Sequence, residues 1–268
     1  KLLSRRQEID SLILSPFQSN KIKPVGCVTF ARGSSANANM FLNYLLEITA
    51  HIPTFVGQMD QWSLYNEMAN YEGWVAVATS QSGETPEIVG IAQAVKKSGA
   101  FTIGISNDPQ SALAKSCDAS INLDAGKELA VPATKTMTAQ IAAQLFIADS
   151  FAPEALDWEL LNRLPELIGM VLDDEQSVKE LAQQFDSAPI ITALGRGLFF
   201  PAASEIALKY RETTSQQSES FILPEFRHGP ISSVSKDSLI LFVDRGYEED
   251  EDTNAVFNIA KNANAKVF

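Results

Sequence analysis

Short, continuous apolar runs alternate along the chain with longer stretches in which apolar residues return every three or four positions. Runs of the first kind, Val25 to Ala31, Val75 to Thr79, Phe101 to Ser106 and Ala119 to Leu123, predict buried strands. Stretches of the second kind, Asn37 to Ala50, Pro86 to Ser98 and Thr136 to Phe151, predict helices, with a further helix near the N-terminus. Strands apolar on both sides, separated by helices, imply a parallel sheet covered on both faces: a doubly wound, three-layer α/β/α fold. Ligands of such sheets bind beyond the carboxyl ends of the strands, where Ser34, Ser35 and Ser80 to Thr85 fall.

The pattern then repeats. Ala31-Arg32-Gly33 has an echo in Gly195-Arg196-Gly197, an offset of 164, and each follows an apolar strand and precedes a helix. The same offset lays Val75 on Leu239, Val77 on Leu241 and Thr79 on Val243. A period of this size is one whole α/β unit, so two tandem domains are expected, 1–165 and 166–268, with the boundary among the prolines and acidic pair of Pro153 to Asp174. In this register Ala265 to Phe268 is the third strand of the second domain, which is expected to be incomplete and to lack a tail.

Composition narrows the partners. With 268 residues, 45% hydrophobic and 20% charged, the chain has the make-up of a soluble globular protein with room for about two domains. A net charge of −12 excludes general nucleic-acid or membrane-surface binding, so an anionic ligand needs a local cradle. Cys27 and Cys117 stand in apolar or helical contexts and read as reduced core residues of a cytoplasmic protein. Only His51 and His228 are present, neither at ligand spacing from Cys or carboxylates, so no metal is expected, and no cofactor.

The chemistry gathers in three places. Trp74 to Ala78 runs into Thr79-Ser80-Gln81-Ser82-Gly83-Glu84-Thr85, and Thr85 and Pro86 occupy the N-cap and first positions of a helix. Hydroxyls and unpaired N–H groups then converge on one point, which suits a phosphate; an ordinary capped turn has the same residues. The equivalent turn of the second half, Asp244 to Glu248 followed by Glu249 to Asp252, is acidic, repels phosphate, and reads as a solvated helix start. In Ala207 to Glu212, Lys209 and Glu212 share a helix face, as a surface ion pair or as part of a site. His228, followed by Gly229-Pro230, must stand on a loop or at a helix end, where an imidazole can serve as a structural residue or carry protons near neutrality.

Ser80 to Thr85, together with Gly33-Ser34-Ser35, Glu128 with Val131 to Lys135, Gly195 to Gly197, Ala207 to Glu212 and Glu225 to Pro230, resembles the sugar-isomerase (SIS) family. The likeness is to the isomerase half of glucosamine-6-phosphate synthase and to stand-alone SIS-type glucosamine-6-phosphate deaminases and fructosamine-6-phosphate deglycases. It implies that Ser35, Ser80, Ser82 and Thr85 bind a sugar phosphate, while Gly33, Ser34, Gln81 and the backbone near Val131 place the sugar. It implies Glu212 as the proton shuttle between C1 and C2, His228 in ring opening and Lys209 at the C1 oxygen, in a homodimer whose histidine reaches the neighbouring site. Pro132 departs from the small residue usual there. The expected activity is isomerisation with deamination or deglycation of an amino-sugar or amine-conjugated hexose 6-phosphate. The alternatives are an isomerase component of a synthase-like aminotransferase and a non-catalytic phosphosugar sensor. A nicotinamide fingerprint fails because Phe200 stands at its third glycine, and the nucleophile elbow of a serine hydrolase is missing.

Overall fold

A computed structural model describes residues 1–18, 23–185, 190–245 and 251–268. The chain divides into two compact units, Lys1–Asp157 and Trp158–Phe268. The division falls between Asp157 and Trp158.

In the first unit the elements run α1 (Arg6–Gln18), β1 (Cys27–Phe30), α2 (Ser34–Thr49), β2 (Thr54–Val56), α3 (Asp60–Ser63), β3 (Val75–Thr79), α4 (Pro86–Lys97), β4 (Phe101–Ser106), α5 (Ala112–Ser116), β5 (Ala119–Asn122) and α6 (Lys135–Phe151). The five strands form one sheet in the order β2-β1-β3-β4-β5, and every pairing is parallel. All carboxyl ends therefore lie along one edge.

Strand alternation decides which helices cover which face. Val28, Phe30, Ala76 and Ala78 pack with Ile88, Ile91 and Val95 of α4 and with Leu113 of α5. Thr29 and Thr79, the alternate residues, turn to the other face, where their hydroxyls meet Asn43 and Asn39 of α2. There α6 lies against α2 and α1 against α6. Every residue of β1 and β3 is buried, as a parallel sheet covered on both sides requires.

In the second unit α7 (Trp158–Leu161), α8 (Leu164–Asp173) and α9 (Glu175–Phe185) precede β6 (Ile190–Gly195), α10 (Phe200–Thr214), β7 (Ser218–Ile222), α11 (Leu223–Arg227), β8 (Ser238–Val243), α12 (Glu251–Asn262) and β9 (Lys266–Val267). A second, wholly parallel sheet has the order β7-β6-β8-β9. Its core joins Leu194, Leu223, Phe226, Ile240, Val256 and Ala260. The offset of 164 lays Val75–Thr79 on residues 239–243, within β8, and β9 falls in the segment read as this unit's third strand.

Candidate functional site

In the first unit the turn from β3 into α4 is built around its own hydroxyls. Ser80 Oγ accepts the Gly83 N–H at 3.2 Å and lies 3.2 Å from Thr85 Oγ1, while Ser82 Oγ accepts the Glu84 N–H at 3.2 Å. Neighbouring elements fix the outside of the turn. Ser80 N–H donates to the Ile105 carbonyl, Asn107 N–H to that of Gln81, and Leu113 N–H to that of Gly83. The Glu84 carboxylate accepts the Ala112 N–H at 2.9 Å.

Gly83 makes this curl possible. Its φ is +69°, and a Cβ there would stand 2.3 Å from Ser111 Oγ. Thr85 is the N-cap of α4 yet makes no side-chain cap bond, and Pro86 opens the helix. The first turn of α4 thus offers the N–H groups that helical geometry leaves unpaired beside the hydroxyls of Ser80 and Thr85. Ser80 is buried, Gln81 half-buried, and Ser82 and Thr85 are exposed, so the turn opens to solvent on one side.

The turn from β1 into α2 ends at the same sheet edge. Gly33 is the N-cap of α2, exposed and at φ +57°, followed by half-buried Ser34 and buried Ser35. Ser35 Oγ accepts a hydrogen bond from Gln140 Nε2 of α6 at 3.0 Å. Arg32 bridges the two turns, pairing with Glu87 in the first turn of α4 at 2.9 Å and with Asp60 at 3.5 Å. Its guanidinium, by hydrogen bonding first and charge second, holds the Glu87 carboxyl below the usual carboxylate range, so this acid of the first turn of α4 stays ionised and Arg32 offsets its charge.

Val131 is set apart. It stands on an exposed loop beyond β5. Glu128, one of the residues that carried the family likeness, caps α6: its Oε2 accepts the Thr136 N–H at 3.0 Å, the Thr136 hydroxyl at 2.9 Å and the Thr134 N–H at 3.2 Å. Burial works to raise its pKa, but these bonds and the Lys135 charge bring it below the ordinary value.

In the second unit Lys209 Nζ lies 2.6 Å from Glu212 Oε2 and 3.5 Å from Glu205 Oε1, all three on one face of α10. Lys209 and Glu212 therefore form an ion pair. His228 terminates α11, exposed, with its N–H donating to the Glu225 carbonyl at 3.1 Å. Of the acidic turn expected to repel phosphate, Gly246 to Asp250 lie outside the described residues; Glu251 and Asp252 open α12. Asp252 pairs with Arg227 and, at 3.6 Å, with Arg196.

Burial pushes both cysteine thiols up to about 12, so neither is a nucleophile at neutral pH. No cluster of metal-ligating side chains occurs among the described residues, and no helix there is long and apolar enough to cross a membrane.

Sequence reasoning passed over the polar residues behind the two turns. Asn39 Oδ1 accepts from Thr79 Oγ1 at 2.7 Å and from Gln144 Nε2 at 2.9 Å, all fully buried. The available signal was a pair of amides four apart, Gln140 and Gln144, inside an otherwise apolar helix.

Comparison with known proteins agrees with this architecture. The chain is 34% identical over 252 residues to the glutamine–fructose-6-phosphate aminotransferase [isomerizing] of Corynebacterium glutamicum, a match covering 91% of this chain and 39% of that protein. It thus spans about two fifths of the length of the curated relatives it matches. Among solved structures, the C-terminal domain of glucosamine-fructose-6-phosphate aminotransferase from Francisella tularensis superposes with a TM-score of 0.85 at 25% identity, covering 99% of this chain and 80% of that one. Glucosamine-6-phosphate deaminase from Thermotoga maritima shares the fold, with a TM-score of 0.78, 23% identity, and coverage of 99% and 82%. The SIS domain pattern matches residues 26–148 and 185–268, and the chain belongs to the SIS domain family.

Proposed function

We propose that the chain isomerises an amino-sugar or amine-conjugated hexose 6-phosphate between its aldose and ketose forms, releasing ammonia or amine. The observation that carries this is the Ser80–Thr85 turn, whose hydroxyls and helix start converge at the carboxyl edge of the first sheet beside Ser35. Hydroxyls and the N–H groups of a helix start are suited to hold an anion. Ser35, Ser80, Ser82 and Thr85 hold the phosphate, and Gly33, Ser34, Gln81 and the backbone at Val131 orient the sugar.

The second unit supplies the acid–base groups. Moving a carbon-bound proton between C1 and C2 needs a base that takes it and returns it to the neighbouring carbon, and Glu212 has the carboxylate for this. Lys209, held 2.6 Å from Glu212, supplies positive charge for the C1 oxygen as it gains negative charge. His228, exposed at the end of α11, donates and removes protons at the ring oxygen and C1 hydroxyl during ring opening. The acting species is a homodimer in which His228 serves the neighbouring subunit's site.

A second reading is favoured by the relatives themselves. The C. glutamicum protein is an isomerizing glutamine–fructose-6-phosphate aminotransferase more than twice the length of the match, so the same isomerase chemistry can serve as one part of a larger aminotransferase. One panel separates the readings. The chain is incubated with glucosamine 6-phosphate, fructose 6-phosphate and fructosamine 6-phosphate conjugates, while ammonia, free amine, ketose phosphate and aldose phosphate are measured. Release of ammonia with fructose 6-phosphate, or of free amine with glucose 6-phosphate, water replacing the nitrogen in each case, is the expected result. Isomerisation without release favours the second reading, and binding without turnover of any sugar phosphate overturns both in favour of a sensor.

A further inference from the structure

Behind the proposed phosphate cradle lies a ladder of buried amides. Gln140 and Gln144 of α6 hydrogen-bond to Ser35 and Asn39 of α2, each pair separated by 105 residues, so the two helices run parallel and in register. The orientation of the lower rung is fixed by chemistry. A carbonyl only accepts, so Asn39 must turn Nδ2 to the Phe30 carbonyl, 3.3 Å away, and Oδ1 to Thr79 and Gln144. Gln144 must then present its NH2. In the upper rung Gln140 Nε2 donates to Ser35 Oγ at 3.0 Å.

The two glutamines share a cost. Gln140 Oε1 and Gln144 Oε1 are buried acceptors with no hydrogen-bond partner, in side chains that are 1% and 0% exposed. An unsatisfied buried acceptor is destabilising, and an apolar side chain of the same length would remove the problem. A residue kept in such a state calls for a gain elsewhere.

We infer that Gln140 is a positioning residue that commits the Ser35 hydroxyl to donating its proton outward, to the phosphate. A serine hydroxyl can give its proton to a backbone carbonyl four residues back, but Ser35 is the second residue of α2 and no helical carbonyl precedes it there. With the Gln140 N–H occupying a lone pair of Oγ, the hydroxyl keeps its single proton for an acceptor at the sheet edge. A bond from a hydroxyl to an anion is stronger than one to a neutral group, and pre-setting the rotor saves ordering it on binding. Gln144 faces Asn39 and no ligand-facing hydroxyl, so it is the built-in control.

This inference rests on the phosphosugar reading above, and its test separates the two. Inorganic phosphate and fructose 6-phosphate are titrated calorimetrically into the full chain as wild type, Gln140→Met, Gln144→Met, Ser35→Ala and Ser35→Ala/Gln140→Met, and each protein's Tm is recorded. Gln140→Met should weaken phosphate binding about fivefold without lowering Tm, because methionine removes the orphaned carbonyl. Gln144→Met should stay within about twofold of wild type. Ser35→Ala/Gln140→Met should bind no more weakly than Ser35→Ala alone, as expected when one residue acts through the other. Gln140→Met within about twofold of wild type, equal losses in Gln140→Met and Gln144→Met, or additive losses in the double variant would each overturn the inference. A wild-type chain that binds no phosphate removes the functional reading and this inference with it, whereas wild-type binding unaffected by Gln140→Met removes the inference alone.

Discussion

The smallest residue in the Ser80 turn has the least freedom to change. Gly83 stands at φ +69°, and an added methyl would sit 2.3 Å from Oγ and 2.4 Å from Cβ of Ser111, which is fully buried. Ser111 cannot yield easily, because its Oγ is bonded to Ser106 at 3.0 Å and caps α5 by accepting the Ala114 N–H at 3.2 Å. Gly83→Ala therefore combines a left-handed backbone with overpacking, and should cost about 2–4 kcal/mol of stability. Chemical denaturation of the variant measures this, and phosphate affinity should fall with it as the curl opens. Glu212 makes the opposite prediction. On the proposed reading Glu212 acts as a proton shuttle in the transition state while Ser35, Ser80, Ser82 and Thr85 hold the phosphate, so Glu212→Gln should abolish turnover and leave sugar-phosphate affinity within about tenfold. Near-normal kcat in that variant would leave Glu212 as no more than the surface partner of Lys209.

Elements were legible where one signal governed them. β3 and β4 fall at the bounds read from sequence, because each is an apolar run closed by turn residues. α2 begins three residues before its expected start, since Ser34-Ser35-Ala36 reads as loop until Gly33 is known to be its N-cap. β2, α3 and α5, of three to five residues, are too short to show a period, and only tertiary packing defines them. The hydroxyl turn was legible for the same reason as β3, whereas the Asn39–Thr79 and Gln140–Ser35 bonds join residues 40 and 105 apart, and their local mark, two amides in an apolar helix, does not name their partners.

Two carboxylates that tie elements together give the first unit a pH dependence of known sign. Asp118, before β5, is pushed up by burial but brought lower overall by Lys96 at 2.7 Å and by the backbone N–H and hydroxyl of Thr102 in β4. Glu128 is likewise lowered at the start of α6. Because their folded pKa values lie below the unfolded ones, their stabilisation is complete above the ordinary carboxylate range, at about pH 5 and higher. It is lost as the pH falls through that range, about 4, toward the folded values. Asp118→Asn should lower Tm at pH 7 and flatten the fall of Tm between about pH 5 and 3. An unchanged slope would assign the acid sensitivity to other groups.

At the scale of the whole molecule, the same parallel architecture occurs twice and is used unequally. The first unit ends its strands in serines and a glycine-led turn, while α12 of the second opens with Glu251 and Asp252, the latter already paired with Arg227 and Arg196. On the proposed reading the phosphate-holding residues belong to the first unit and the acid–base residues to the second, and subunits can be made to complement one another. If His228 serves the neighbouring subunit, mixing Glu212→Gln protein with His228→Ala protein, each inactive alone, yields heterodimers in which one of the two sites has both groups intact. Random pairing makes half of the dimers mixed, each with one repaired site, so kcat should recover to about a quarter of wild type. The measurement is turnover against mixing ratio, with heterodimer content followed by native mass spectrometry. Mixtures that contain the heterodimer yet stay inactive would place His228 and Glu212 in one subunit's site, or remove His228 from the chemistry.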